Sequence, residues 1–135
     1  KLNHITDIND HAQETELLLV AAFGVLGNYF EVADIVFIGG SLVNIGGHNI
    51  IEPAKQDCAI IVGPHTSNFK DVIAEFNSKK AIIITNDYEE LKNQLLKLFS
   101  DSSYKNQLIN NSKNIIAEQK NISKTAVDTI YQYLK

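Results

Sequence analysis

Ile35-Val36-Phe37-Ile38-Gly39-Gly40-Ser41 and Ala59-Ile60-Ile61-Val62-Gly63-Pro64-His65 are built alike. Each is a short, unbroken apolar run that ends on glycine and small polar residues. An apolar run without polar alternation is what a strand buried on both faces requires. Ala81-Ile82-Ile83-Ile84 repeats the pattern, and Leu17-Leu18-Leu19-Val20 precedes it. The segments between carry helical spacing. Leu26, Tyr29, Phe30 and Val32 outline a short helix, and another starts between Asn49 and Pro53 and ends near Gln56. Phe69, Val72, Ile73 and Phe76 mark a helix over 68–77. Asn86 or Asp87 is placed to cap the next, which is expected to bury Leu91, Leu95, Leu96 and Leu98. Two more helices are expected, over 104–119 and 123–134. Strands alternating with helices form βαβ units, so the expected class is α/β, a parallel sheet flanked by helices.

The 135 residues suffice for one domain. Residues 16–135 carry the alternating pattern and form it. Residues 1–15 are polar and aperiodic, and read as a linker or the remnant of a preceding element. Lys1 and its polar neighbours lack the pattern of a secretory leader. The apolar run from Leu17 to Gly27 is shorter than the ~20 residues a membrane span needs. Cys58 is the one cysteine, so no intrachain disulfide forms and a reducing compartment is expected.

The net charge is −4, and all 12 cationic residues are lysine. Arginine supplies the fork that reads phosphates and guanine edges. An acidic chain without it is a poor nucleic-acid binder, so no nucleic-acid partner is expected. Any bound phosphate must be met by backbone N–H groups, helix N-termini, lysine or histidine. The abundance of Ile, Asn and Lys also fits an AT-biased genome.

Parallel sheets of this class bind ligands beyond the carboxyl ends of their strands. The unusual residues gather there. Gly39, Gly40, Ser41, Gly46, Gly47, His48 and Asn49 follow one strand; Gly63, Pro64, His65 and Thr66 follow another; Phe23 and Gly24 follow the first. Two glycine pairs permit positive φ and close backbone approach to a ligand. With the helix that follows, they suit one phosphate or carboxylate, and they equally suit a tight connection with no ligand. The dinucleotide fingerprint and the P-loop are both absent, which argues against a plain NAD-binding or P-loop site. Asn49 and Glu52 have capping-box spacing. If Pro53 instead opens the helix, the Glu52 carboxylate stays free to accept hydrogen bonds from a ribose diol. His48 and His65 suit a phosphate better than a metal, since no carboxylate pair accompanies them at ligand spacing. His4 and His11 are expected to be solvated, and Cys58 to behave as a small core residue.

Taken together, Gly-Gly-Ser-x4-Gly-Gly-His-Asn-x2-Glu-Pro-Ala over 39–54 and Gly-Pro-His-x2-Asn-Phe over 63–69 are far more specific than either alone. They closely resemble the C-terminal domain of 3-deoxy-D-manno-octulosonic acid (Kdo) transferases, GT-B glycosyltransferases of lipopolysaccharide synthesis. Phe23-Gly24-Val25-Leu26-Gly27-Asn28-Tyr29-Phe30 is similar to the family's preceding loop. The resemblance implies a Rossmann-like domain, the C-terminal half of a GT-B fold, that binds the donor CMP-Kdo. It implies that Phe23, Gly24, Leu26, Gly39, Gly40 and Ser41 line the donor site. Gly46, Gly47, His48 and Asn49 would surround phosphate and Kdo, Glu52 would hold the ribose, and Gly63, Pro64, His65, Asn68 and Phe69 would shape the adjoining wall. It implies no metal or other cofactor.

An N-terminal domain outside this chain would bind the lipid A precursor, contact the membrane at the cytoplasmic face of the bacterial inner membrane, and carry the general base. The chain alone is then expected to be inactive. Two departures stand out. The family begins the upstream loop with Asp and has Glu between the residues matching Gly24 and Leu26, where this chain has Ala21-Ala22 and Val25. It also places Arg near the start of this domain, and none exists here. These departures favour the alternative of a degenerate, non-catalytic nucleotide-binding module. Another GT-B enzyme using a UDP-sugar is a further alternative.

Overall fold

Ala59–Val62 is buried at every residue, and the domain is organised around it. In the computed structural model of the chain, residues 2–5, 17–21 and 23–133 are described. In chain order the elements are β1 (Leu2–Ile5), β2 (Leu17–Val20), α1 (Leu26–Phe30), β3 (Ile35–Phe37), α2 (Ile51–Lys55) and β4 (Ala59–Val62). A single 3-10 turn (Ser67–Phe69) then leads into α3 (Lys70–Ser78), followed by β5 (Ile82–Ile84), α4 (Tyr88–Ser100) and α5 (Ser102–Tyr133). β3, β4 and β5 form a parallel sheet in that order, with Ile35 opposite Ala59 and Ile60 opposite Ile82. The expected α/β class, a parallel sheet flanked by helices, is what is found.

Side chains of a strand alternate between faces, and β4 therefore belongs to two cores. Ile60 and Val62 pack with Ile38, Ile50, Ala54, Cys58, Ile73, Phe76 and Ile115. Ala59 and Ile61 pack with Ile83, Leu98 and Leu108 on the other side. The central strand's position explains its unbroken apolar sequence.

Three details differ from the sequence reading, and a fourth decides between its alternatives. β2 is not buried on both faces: Leu17 is 61% exposed and Leu19 51%. It pairs in parallel with β1, whose residues lie within the polar opening stretch. A two-stranded ladder has no central position in which to sandwich a residue. On α4, Leu91 and Leu95 are half-buried and Leu98 is buried, but Leu96 is 59% exposed. It stands one residue, a ~100° rotation, beyond Leu95. The two C-terminal helices are one, α5, without a break at 120–122. No Gly or Pro interrupts that stretch, and Thr125 donates to the Asn121 carbonyl across it (3.0 Å). Finally, of the two candidate caps of α4, it is Asp87 that accepts from the Glu90 N–H, while the Glu90 carboxylate accepts from Asn86 N–H. His11 and the side chain of His4 lie outside the described residues.

α5 runs past the starts of all three sheet strands. Lys105 pairs with Asp34 ahead of β3, and Lys113 with Asp57 ahead of β4, each at 2.8 Å. Asn111 and Ser112 donate to the carbonyls of Lys80 and Ala81 ahead of β5, each at 2.9 Å. Exposed ion pairs stabilise by only ~0–1 kcal/mol. The stronger hold comes from buried Leu108 and Ile115 on the same helix.

Cys58 is 1% exposed, and its thiol donates to the carbonyls of Phe30 and Ala33 at 3.3 Å. This is the small core residue expected. Burial, and then the negative charges of Asp57 and Asp34, push the thiol above its ordinary value. The folded state therefore disfavours the thiolate. Its contribution is complete below the unfolded thiol's pKa of ~8.5 and falls as pH rises beyond it. Urea midpoints measured from pH 7 to pH 10 should fall more steeply for the wild type than for Cys58→Ala. Equal slopes would contradict this account.

Candidate functional site

The loops after β3 and β4 are joined at two places. The first is Ser41. Its hydroxyl donates to the Ile38 carbonyl (2.5 Å) and accepts from the Gly63 N–H (2.7 Å). Its own carbonyl accepts from the His65 N–H (2.9 Å). The second is Asn68, whose N–H donates to the Gly46 carbonyl (3.3 Å) and whose side-chain amide reaches the Gly47 carbonyl (3.5 Å). Thr85 ties in the third strand. Its N–H and its hydroxyl both donate to the Val62 carbonyl, at 2.9 and 3.2 Å.

One glycine is required by space and another by its backbone conformation. A Cβ on Gly63 would stand 2.2 Å from the Ser41 carbonyl oxygen, because the chain at 41–42 crosses directly over it. A Cβ on Gly46, at φ +100°, would stand 2.6 Å from the Asn68 amide nitrogen. Gly39 has nothing within 4 Å of such a position and an ordinary φ.

The expected site residues separate into two layers. Ser41, Gly46, Gly47 and Gly63 are buried and brace the loops. Gly39, His48, Asn49, Glu52, Pro64, His65 and Asn68 are exposed around them, and Gly40 and Phe69 are half-buried. These residues come from the carboxyl ends of β3 and β4. Phe23, Gly24 and Leu26 are exposed as well. Among the described residues no hydrogen bond joins them to the loops after β3 and β4.

The start of α2 matches neither phase read from the sequence. Ile50 is the N-cap, and Pro53 falls at the third helical position. The first N–H to need a helical carbonyl belongs to Ala54, which donates to Ile50 (3.1 Å). Proline, lacking an N–H, is therefore harmless at that position. Asn49 accepts from the Ile51 N–H (3.0 Å) in a local turn, and no capping box forms. The Glu52 carboxylate points from the first turn with no cap to make.

The sequence reading missed the loop after β5. Thr85-Asn86-Asp87 also ends a parallel strand, and its small polar composition was the available signal. A hollow of about 570 Å³ lies elsewhere, between α2 and α5, lined by Ile51, Lys55, Ile116, Gln119 and Lys120. Among the described residues no three His, Cys, Asp or Glu side chains gather to hold a cation. No helix among them is long and apolar enough to cross a membrane.

Space predicts opposite outcomes at two neighbouring glycines. Gly63→Ala should lower stability by about 2 kcal/mol or more, since the obstacle is backbone. Gly39→Ala should leave it within about 1 kcal/mol. Urea unfolding of both variants checks the contrast, and equal losses would refute it.

No protein-family model matches the chain. Curated relatives do. A 3-deoxy-D-manno-octulosonic acid transferase of Aquifex aeolicus is 34% identical over 87 residues, 64% of this chain and 25% of the relative. That of Haemophilus influenzae is 27% identical over 124 residues, 91% of this chain and 29% of the relative. A bifunctional glycosyltransferase/methyltransferase of Fusobacterium nucleatum is 37% identical over 82 residues, 61% of this chain and 13% of the relative. The chain thus spans less than a third of these relatives. Among solved structures, the C-terminal CMP-Kdo binding domain of WaaA from Acinetobacter baumannii superposes with a TM-score of 0.72 at 28% identity. That match covers 76% of this chain and 53% of the other. In sequence and in fold, the chain is similar to the C-terminal domain of 3-deoxy-D-manno-octulosonic acid transferases.

Proposed function

We propose that this chain is the donor-binding domain of a Kdo transferase, holding CMP-Kdo at the carboxyl ends of β3 and β4. The observation that carries the reading is its likeness, at 28% identity, to a CMP-Kdo binding domain. The braced loops support it, since they leave His48, Asn49, Glu52 and His65 exposed on one set of strand ends. Loop amides and histidines are suited to the charge that develops on a departing CMP phosphate. Glu52, free of any capping role, accepts hydrogen bonds from the ribose diol.

The remainder of the reaction belongs to a partner domain. An acceptor hydroxyl of the lipid A precursor attacks the anomeric carbon of Kdo, the bond to CMP breaks, and a base in an N-terminal domain takes the proton. That domain also supplies contact with the cytoplasmic face of the inner membrane in a Gram-negative bacterium. Residues 16–135 form the donor domain, and alone they bind without turnover. Ala21-Ala22, Val25 and the absence of Arg favour a second reading, a degenerate module that has lost the donor.

Titration of the chain with CMP, CMP-Kdo and UDP, followed by amide NMR shifts, separates these readings. Cytidine ligands should move the amides of residues 46–52 while UDP competes poorly. No movement at millimolar CMP-Kdo would establish the degenerate reading, and equal competition by UDP would point to a UDP-sugar enzyme.

Glu52→Gln gives an independent check on the ribose contact. It should weaken CMP binding about tenfold or more, as loss of charge-assisted hydrogen bonds does. Stability should stay within about 0.5 kcal/mol, because the residue is exposed. Unchanged affinity would remove Glu52 from the site.

A further inference from the structure

In a parallel ladder, rungs alternate in a fixed order along the pair. The Ile38 N–H donates to the Ile61 carbonyl at 3.0 Å. The rung after it runs from the Gly63 N–H to the Ile38 carbonyl. Here that rung is interrupted: the N–H goes to the Ser41 hydroxyl, and the hydroxyl goes on to the Ile38 carbonyl. A side chain has been inserted between β3 and β4 where they would otherwise bond directly. Ser41 is 0% exposed, and its hydroxyl proton is spent on Ile38.

We propose that Ser41 is a positioning residue: its hydroxyl is an inserted rung that holds β3 and β4 apart at their carboxyl ends, setting the gap between the Gly39–Gly40 turn and His65. The resemblance had placed Ser41 against the donor. The hydrogen bonds give it a different task, spacing the two loops that meet the donor. Its backbone serves the same end. The chain at 41–42 folds back over Gly63, and the Ser41 carbonyl takes the His65 N–H. One residue thereby fixes both the opening of the strands and the height of the second loop. The consequence for binding rests on the donor-binding reading above; the rung itself does not.

Ser41→Ala removes the spacer and leaves Gly63 N–H and the Ile38 carbonyl facing each other. The strands should close and form the direct bond. A scalar coupling across that bond, between Gly63 nitrogen and Ile38 carbonyl carbon, should be absent in the wild type and present in the variant. CMP affinity should fall about tenfold, with the urea midpoint nearly unchanged because one bond replaces two. A residue that merely supports the fold would shift the midpoint and leave affinity alone. No coupling in Ser41→Ala, or an unchanged affinity, overturns the proposal. Ser41→Cys keeps a spacer of at least equal size, so the coupling should stay absent and affinity should hold within about threefold. It serves as the test if the alanine variant does not fold, and a coupling there also overturns the proposal. Should the wild type bind no CMP, the donor reading falls, and the coupling alone decides the rung.

Discussion

The chain at Ser41 and Leu42 passes over Gly63 so closely that no side chain fits between them. The rest of the candidate site follows from that crossing. It brings the first glycine loop back across the end of its neighbouring strand and puts the Ser41 hydroxyl within reach of both strands. It also sets the second loop in register, because the Ser41 carbonyl receives the His65 N–H. Asn68 closes the arrangement further out, against Gly46 and Gly47. Two loops far apart in sequence thus behave as one surface. Their exposed residues are presented by a buried framework of small residues, which explains why glycine and serine dominate the motif. Size dictates Gly63, and a positive φ of +100° dictates Gly46.

The two ends of the sheet are finished differently. At the carboxyl ends, backbone and small side chains are woven into loops. At the amino ends, α5 is fastened by Lys105 to Asp34, by Lys113 to Asp57, and by Asn111 and Ser112 to the chain before β5. Buried Leu108 and Ile115 reach opposite cores from that helix. Changes in the exposed loop residues therefore have little reason to disturb the core. Changes near the start of α5 have little reason to reach the loops, whereas Ile115 and Ile116 share a core with Ile50, Ile51 and Ala54 at the helix that carries Glu52.

Much of this was legible in the sequence because central strands in a parallel sheet leave an unmistakable trace. Ile60, Ile61 and Val62 are unbroken by polar residues because both faces are covered. The motif from Gly39 to Phe69 was legible by resemblance, and the relatives and the fold agree with it. What was not legible depends on partners far away in the chain. Leu17 and Leu19 look like core residues, yet their ladder partner is β1. Leu96 looks like its neighbour Leu95 until the helix phase is known. The start of α2 turns on one residue of register, which Pro53 satisfies in more than one way. Ser41 reads as a loop serine, since nothing local records that its hydroxyl stands where a strand rung belongs.

The 32 residues of α5 measure about 48 Å at 1.5 Å per residue, far longer than the sheet it crosses. Its first half is anchored. Past Lys120 every described side chain is exposed, Val127 and Ile130 among them. Mechanically this is a lever arm. A load applied beyond Lys120 is borne by the anchored half, where three ion pairs, to Asp34, Asp57 and Lys79, and two buried leucine-sized side chains resist it. Of the strand-end residues, those on α2 are where that torque would arrive first, because Ile115 and Ile116 share a core with Ile50, Ile51 and Ala54.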